Sequence, residues 1–89
     1  MDTLKIREDL VYREIDEAIV AVRIDTGEYI RLDEIGSDIF RLIAADGRFS
    51  SVRAGLLSRY DIDEATCDAD LVGFIGDLQA RGLINVDGN

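Results

Sequence analysis

The 89-residue chain contains no histidine, no proline and no tryptophan, and it has a single cysteine, Cys67. Without histidine, neither a histidine general base nor a histidine metal ligand is available. One cysteine cannot form an internal disulfide, which fits a reducing cytoplasm. No run approaches the roughly 20 apolar residues of a membrane span, and the N-terminal residues lack the apolar stretch of a secretory signal. We therefore expect a cytoplasmic protein with no metal, no cofactor and no membrane contact.

Basic side chains are also in the minority, because 19 acidic residues stand against 10 basic ones and give a net charge of -9. The phosphate backbone of a nucleic acid binds clustered lysine and arginine, so this balance argues against DNA or RNA as a partner. A hydrophobic content of 47% is nevertheless that of a folded globular chain. The length predicts one small domain over residues 1–89, which leaves little core for an elaborate active site.

The first third of the chain is expected to form a sheet. Three runs rich in β-branched and aromatic residues predict strands at Val11–Ile15, Ala18–Ile24 and Tyr29–Leu32. Their connections are too short for parallel strands, which predicts an antiparallel meander with Ala18–Ile24 in the middle and Gly27 in the second turn. Leu4 and Ile6 give a weaker strand signal, and residues 83–86 indicate an extended tail on the core.

The rest of the chain predicts three helices. Their candidate N-caps are Asp33, Ser50 or Ser51, and Asp63, and their candidate ends are Asp46-Gly47, Tyr60 and Gly82. Strands followed by helices define an α+β domain. A three-stranded antiparallel β-meander followed by three α-helices could form a winged helix-turn-helix-like fold, although the acidic third helix argues against a role in the DNA major groove.

Candidate catalytic and metal-binding patterns are weak. Cys67 has no histidine to activate it and has helical spacing with Leu71, so we interpret it as a core residue. Residues 61–64 resemble the start of a calcium loop, but Thr66 and Val72 stand where an EF-hand needs glycine and glutamate. The glycines of residues 73–76 lie inside a helical pattern rather than after a strand, so they form no phosphate loop. We therefore expect that the chain is not an enzyme.

The third predicted helix has an unusual apolar pattern. Its core face is expected to consist of Cys67, Leu71, Phe74 and Leu78. Ile75 lies at the margin of this face, and Val72 lies about 120° from its centre. Two interpretations remain open. Either the core face is wide, or Val72 and Ile75 form a shallow peptide-binding groove with Asp68 and Gln79 at its rim, whose negative charge would favour a peptide carrying lysine or arginine.

The run Tyr29–Leu32, with Glu28 just before it, is expected to be an edge strand. Such an edge presents unpaired backbone N–H and C=O groups and can accept a peptide as an added strand. It could equally support a dimer, so both a monomer and an edge-strand dimer are compatible with the sequence. The candidate peptide-binding residues are Glu28, Tyr29, Ile30, Arg31 and Leu32 on the strand, with Asp68, Leu71, Val72, Ile75 and Gln79 on the helix.

The stretch YIRLDEIGSDIF, from Tyr29 to Phe40, resembles the strand-to-helix signature of PqqD-like proteins. These proteins are recognition elements for the precursors of ribosomally made, post-translationally modified peptides (RiPPs). The matching positions are Leu32, Asp33, Gly36, Ile39 and Leu42, followed by Asp46-Gly47, Leu56-Leu57, residues 60–63, Leu71, Phe74, Leu78 and residues 82–84. Asp33 stands where asparagine is common in the family. The similarity covers roughly residues 10–86.

This resemblance implies a winged-helix-like fold that does not bind DNA. It also implies that a precursor leader peptide adds antiparallel to the third strand of the meander and rests against the third helix. Stand-alone members of this length are similar to the leader-binding proteins of lasso-peptide pathways, which deliver the precursor to a separate cysteine-type leader peptidase. Other members serve radical-SAM maturases or cyclodehydratases. The resemblance thus implies a non-catalytic adaptor for a processing enzyme in antibiotic biosynthesis.

Two other functions are compatible with parts of the sequence. A winged-helix transcriptional regulator or protein-interaction module would share the order of elements. A small acidic acyl carrier protein would share the composition. The carrier is the weaker alternative, because it would be all helical and would have its modifiable serine after an aspartate, whereas Ser37 precedes Asp38 here.

Overall fold

The computed structural model describes residues 3–87 of the chain. Its elements, in chain order, are β1 (Thr3–Ile6), β2 (Leu10–Ile15), β3 (Ala18–Arg23), β4 (Tyr29–Arg31), α1 (Glu34–Ala45), α2 (Phe49–Arg59), α3 (Glu64–Ala80) and β5 (Ile84–Asp87). The predicted α+β order, a strand meander followed by three helices, is confirmed. Among residues 3–87, none of the helices has the length and apolar content that a membrane span requires.

The strands form two antiparallel sheets. β2, β3 and β4 form the predicted meander, with β3 in the centre. β1 and β5 pair with each other in a separate two-stranded sheet, in which Leu4 lies opposite Val86 and Ile6 lies opposite Ile84. The weak strand signal near the start of the sequence and the extended tail near its end are therefore two halves of one ribbon.

The two turns of the meander differ in the residues that adopt a positive φ. Gly27 lies between β3 and β4 with a φ of 72°, as the sequence predicts. Between β2 and β3, Asp16 and Glu17 have φ values of 53° and 67°, which non-glycine residues rarely adopt. Arg41 of α1 holds this turn, since its guanidinium donates to the Glu17 carbonyl oxygen over 2.8 Å and pairs with the Glu14 carboxylate.

Aspartate caps begin the first and third helices, as predicted. The Asp33 carboxylate accepts a hydrogen bond from the Gly36 N–H over 2.7 Å, and the Asp63 carboxylate accepts one from the Thr66 N–H over 2.9 Å. Each bond satisfies one of the backbone donors that a helix N-terminus leaves unpaired. Gly82, with a φ of 77°, follows the end of α3, also as predicted.

The predicted serine cap of the second helix is wrong. α2 begins at Phe49, so Ser50 and Ser51 lie inside its first turn, and Arg48 is the N-cap without a side-chain hydrogen bond. The side chain of Phe49 packs against the core, and this packing favours a helix that begins at Phe49. The Arg48 carbonyl oxygen accepts the first backbone bonds, from the N–H groups of Ser51 and Val52, both over 3.0 Å.

The core lies between the helices and the inner face of the meander. Side chains of alternate strand residues, such as Ile19, Ala21 and Ile30, point into it because successive residues of a strand face opposite sides. Tyr12 of β2 also points inward, where its ring meets Phe40 edge-to-face at a centroid distance of 4.8 Å. The opposite side of the meander is its outer face and carries Val11, Arg13, Ile15, Val20, Val22, Tyr29 and Arg31.

Ser37 of α1 is a polar side chain that is fully buried in this apolar interior. Its hydroxyl accepts a hydrogen bond from the Ile19 N–H of β3 over 2.9 Å and donates one to the Leu32 carbonyl oxygen over 3.3 Å. Beside it, the Leu32 N–H donates to the Ile19 carbonyl oxygen over 2.9 Å. The serine hydroxyl thus bridges the two strands where the chain leaves the sheet, and it fixes α1 to the end of β4.

The variant Ser37→Ala should destabilise the fold by about 1–3 kcal/mol, because it leaves a buried N–H and a buried C=O without partners. Urea denaturation monitored by circular dichroism measures this change. Ser58→Ala is the matched control, because Ser58 is exposed on α2, and it should stay within about 0.5 kcal/mol of the parent. Equal stability of the two variants would contradict the bridging role.

Candidate functional site

β4 is an edge of the meander, and the direction of its backbone groups can be assigned. The Glu28 carbonyl oxygen and the Leu32 N–H bond to β3 over 3.0 and 2.9 Å. Along an antiparallel strand, the N–H and C=O groups of successive residues point alternately toward and away from the neighbouring strand. The backbone groups of Ile30 therefore also face β3, whereas those of Tyr29 and Arg31 point away from the sheet. No other strand of residues 3–87 pairs on that side of β4. Two successive sets of N–H and C=O groups are therefore open to an added strand.

The side chains of β4 divide between the core and the outer face. Ile30 and Leu32 are buried, each with 6% of its surface exposed, and they anchor the strand. Tyr29 is 68% exposed and Arg31 is also exposed, both on the outer face. The edge is consequently anchored on its inner side by two buried side chains, and its outer side chains are exposed.

α3 runs beside this edge, and a groove lies between the two elements. A cleft of about 160 Å³ is lined by Arg31, Leu32, Asp33, Gly36, Phe74, Asp77, Leu78 and Arg81. A shallower hollow of about 350 Å³ is lined by Ala69, Asp70, Gly73, Phe74 and Asp77. Phe74 and Asp77 border both hollows, so we treat them together as the β4–α3 groove.

Phe74 gives the groove an apolar surface, since its ring is half-buried and lies near Gly36 of α1. A β-carbon at position 36 would lie 3.8 Å from the Phe74 ring and only 2.9 Å from the Asp33 carboxylate that caps α1. Glycine therefore permits the cap to form beside the groove. At the rim, the Asp77 carboxylate pairs with Arg81 over 3.2 Å, which reduces its local negative charge.

The structure separates Val72 from Ile75, which the sequence pattern placed together in one shallow groove. Ile75 and Leu71 are fully buried in the core, whereas Val72 is 51% exposed. The buried face of α3 is centred closer to Ile75 than the apolar spacing of the sequence suggested. Phe74, rather than Ile75, therefore lies at the margin of the buried face. At 100° per residue, Val72 is about 160° around the helix from Phe74. The sequence pattern showed that an apolar residue lies at the margin of the buried face, but it did not show which side of α3 faces β4.

The predicted acidic rim also lies elsewhere. The Asp68 carboxylate pairs with Arg53 of α2 over 2.5 Å, so it faces the second helix. Hydrogen bonding to Asp68 raises the pKa of the Arg53 guanidinium. Gln79 is exposed, but about 140° around the helix from Phe74. Asp68 thus joins α2 to α3, and neither residue borders the β4–α3 groove.

A larger and more polar hollow of about 710 Å³ lies at the Leu32 end of β4, between the turn of the β2–β3 hairpin and the start of α1. Asp38, at its base, pairs with Arg41 over 2.8 Å and accepts a hydrogen bond from the Tyr60 hydroxyl. This bond raises the pKa of Tyr60 to about 12. The tyrosine remains protonated at neutral pH. Its hydrogen bond to Asp38 connects the end of α2 to α1.

Cys67, the single thiol, is fully buried on α3. Burial raises the pKa of its thiol, which disfavours the nucleophilic thiolate. Its position agrees with the interpretation of a core residue.

Comparison with known proteins assigns the fold to a family. Residues 18–84 match the family described as coenzyme PQQ synthesis protein D, PqqD. The chain belongs to the PqqD family. The match extends from the start of β3 to the start of β5, and thus includes β4, α3 and the groove between them. No curated protein sequence matches the chain significantly.

Two solved structures are similar to this PqqD-family protein over nearly their whole lengths. TbiB1 in complex with the TbiA(beta) leader peptide has a TM-score of 0.87 and 28% sequence identity, and the match covers 96% of this chain and 99% of that chain. A lasso peptide synthetase B1 complexed with the leader peptide has a TM-score of 0.82, with coverage of 94% and 99%. The second is 18% identical, so its likeness concerns the fold alone.

Two substitutions on α3 test the placement of its faces. Ile75→Ala should destabilise the protein by about 2–5 kcal/mol, because it truncates a fully buried side chain. Val72→Ala should change the free energy of unfolding by no more than about 0.5 kcal/mol, because Val72 is exposed. Urea denaturation measures both. A similar loss in both variants would contradict the assignment of Val72 to the surface.

Proposed function

We propose that this PqqD-family protein binds the leader of a ribosomal precursor peptide by adding the leader as a strand to β4. The observation that carries the proposal is the open edge of β4 beside a groove with an apolar surface at Phe74. Backbone groups of Tyr29 and Arg31 would supply the pairing, and the groove would hold side chains of the leader. The 28% identical TbiB1, whose structure contains a leader peptide, supports this function.

The proposed contact residues combine sequence expectations with the observed groove. Glu28–Leu32 remain the strand segment, with Ile30 and Leu32 as buried anchors rather than direct contacts. On α3, Phe74 and Asp77 replace Val72 and Ile75 as the residues that would meet the leader. Residues 1–89 would act as one recognition domain, as a cytoplasmic monomer or as a dimer through a strand edge.

We further propose that the protein is a non-catalytic adaptor that presents the leader to a separate processing enzyme, such as a cysteine-type leader peptidase. A second binding surface is needed for this role, because the leader would occupy the β4 edge. The outer face of the meander suits it, since Val11 is 58% exposed, Ile15 is 36% exposed and Tyr29 is 68% exposed. Exposed apolar clusters of this kind are typical of protein–protein contacts.

Tyr29→Pro tests strand addition. Proline removes the outward N–H of Tyr29 but no hydrogen bond to β3, and proline is tolerated in an edge strand whose N–H faces solvent. The variant should weaken binding of a labelled peptide by at least about tenfold, since a hydrogen bond and its geometry are lost. The probe is a fluorescent dodecapeptide, selected on the parent protein from a random display library, and fluorescence anisotropy measures its affinity.

Tyr29→Ala is the control, because it removes the same side chain and keeps the backbone N–H. It should weaken binding less than Tyr29→Pro does. Thermal unfolding of both variants verifies that each remains folded. Equal affinities of the proline and alanine variants would rule out pairing at this N–H, and selection of no peptide by the parent protein would contradict the proposed function itself.

A further inference from the structure

The side chains of β4 alternate between the core and the outer face. If the proposed strand addition is correct, this alternation also determines which side chains of an added strand would face the protein. Residues directly opposite each other in an antiparallel pair point to the same side of the sheet. A peptide residue opposite Arg31 or Tyr29 would therefore point to the outer face. Its neighbours, opposite Ile30 and Leu32, would point inward toward Phe74 and the β4–α3 groove.

Arg31 differs from most basic side chains of this acidic protein. Seven other arginines form ion pairs: Arg7, Arg23, Arg41, Arg48, Arg53, Arg59 and Arg81. Within residues 3–87, no ion pair or side-chain hydrogen bond joins Arg31 to a partner, and its side chain is exposed. Its cross-strand neighbour is Val20, which is apolar and only 4% exposed. A guanidinium without a partner thus stands at the edge where the peptide would pair.

Glu28, Asp33 and Glu34 are the carboxylates nearest to Arg31 along the chain, and none of them forms an ion pair with it. Asp33 caps α1 through the Gly36 N–H at 2.7 Å, and Asp38 is engaged by Tyr60 and Arg41. Within the groove, Arg81 offsets the negative charge of Asp77 at 3.2 Å, whereas Asp70 borders the hollow on α3 without an ion pair. An incoming acidic side chain opposite Arg31 would consequently meet a positive charge on the outer face that no carboxylate of residues 3–87 already pairs with.

We propose that Arg31 is a specificity-determining residue that selects an aspartate or glutamate at the peptide position directly opposite it. Opposite charges on directly facing strand residues attract, and like charges repel. The two neighbouring peptide residues would point inward, and they would carry apolar side chains because Phe74 lines the groove there. The recognised segment therefore reads apolar–acidic–apolar. This differs from the lysine- or arginine-bearing peptide that the sequence pattern of α3 suggested.

A display experiment with random peptides tests the assignment and requires no known leader sequence. A phage library of random dodecapeptides is selected separately on the parent protein, on Arg31→Glu and on Arg13→Glu. Arg13 is the matched control, because it also lies opposite Val20 and has no ion-pair partner among the described residues, but it belongs to β2 and is separated from the β4 edge by β3. Thermal unfolding of each variant verifies its fold, and Arg31→Gln provides a second, uncharged variant.

The parent protein and Arg13→Glu should both enrich peptides with an acidic residue between two apolar ones. Arg31→Glu should instead enrich lysine or arginine at that position, and Arg31→Gln should show no charge preference there. In anisotropy measurements, replacement of the acidic residue by lysine in a selected peptide should weaken binding to the parent at least tenfold and strengthen binding to Arg31→Glu.

Two other outcomes would overturn the assignment in distinguishable ways. If all four proteins enrich the same peptides, strand addition stands and Arg31 does not determine specificity. If the parent enriches no peptide above a Phe74→Asp variant that remains folded, the proposed function fails together with the assignment.

Discussion

The buried hydroxyl of Ser37 is the contact on which the geometry of the β4 edge depends. It joins the Ile19 N–H of β3 to the Leu32 carbonyl oxygen at the end of β4, and it does so from within α1. A three-residue strand has little pairing of its own, so its position is determined by what anchors its ends. The bridge is buried in an apolar core, so breaking it would leave two backbone groups without hydrogen bonds and without access to water. This cost strongly favours a single arrangement of β4 against α1.

Once β4 is fixed, the remaining features of the site follow from packing. Ile30 and Leu32 occupy the inner side, so Tyr29 and Arg31 must present their backbone outward and their side chains to the outer face. α3 buries Ile75 and leaves Phe74 half-exposed at the groove. Binding of an extended peptide needs no catalytic side chain. The absence of histidine and the buried thiol of Cys67 are therefore compatible with the proposed adaptor.

Local sequence signals predicted much of the fold, because strand alternation and aspartate caps act within a few residues. Asp33, Asp63 and Gly27 occupy their expected positions for this reason. The side of α3 that faces β4 depends instead on tertiary packing, so periodicity placed the groove at Val72 and Ile75 rather than at Phe74. The role of Ser37 was also missed, since a single serine within a helix gives no signal of the distant N–H and C=O that it bridges.

Backbone amide exchange at β4 reports directly on the addition of a peptide strand to this edge. Exchange rates are measured by NMR for the protein alone and saturated with a display-selected peptide. The amides of Tyr29 and Arg31 should exchange at least about tenfold more slowly in the complex, because both gain hydrogen bonds. The amide of Ile30, which is already bonded to β3, should gain less protection. Strand addition to β4 would be contradicted if a tightly bound peptide left the Tyr29 and Arg31 amides unprotected, or if protection appeared instead along the opposite edge at β2.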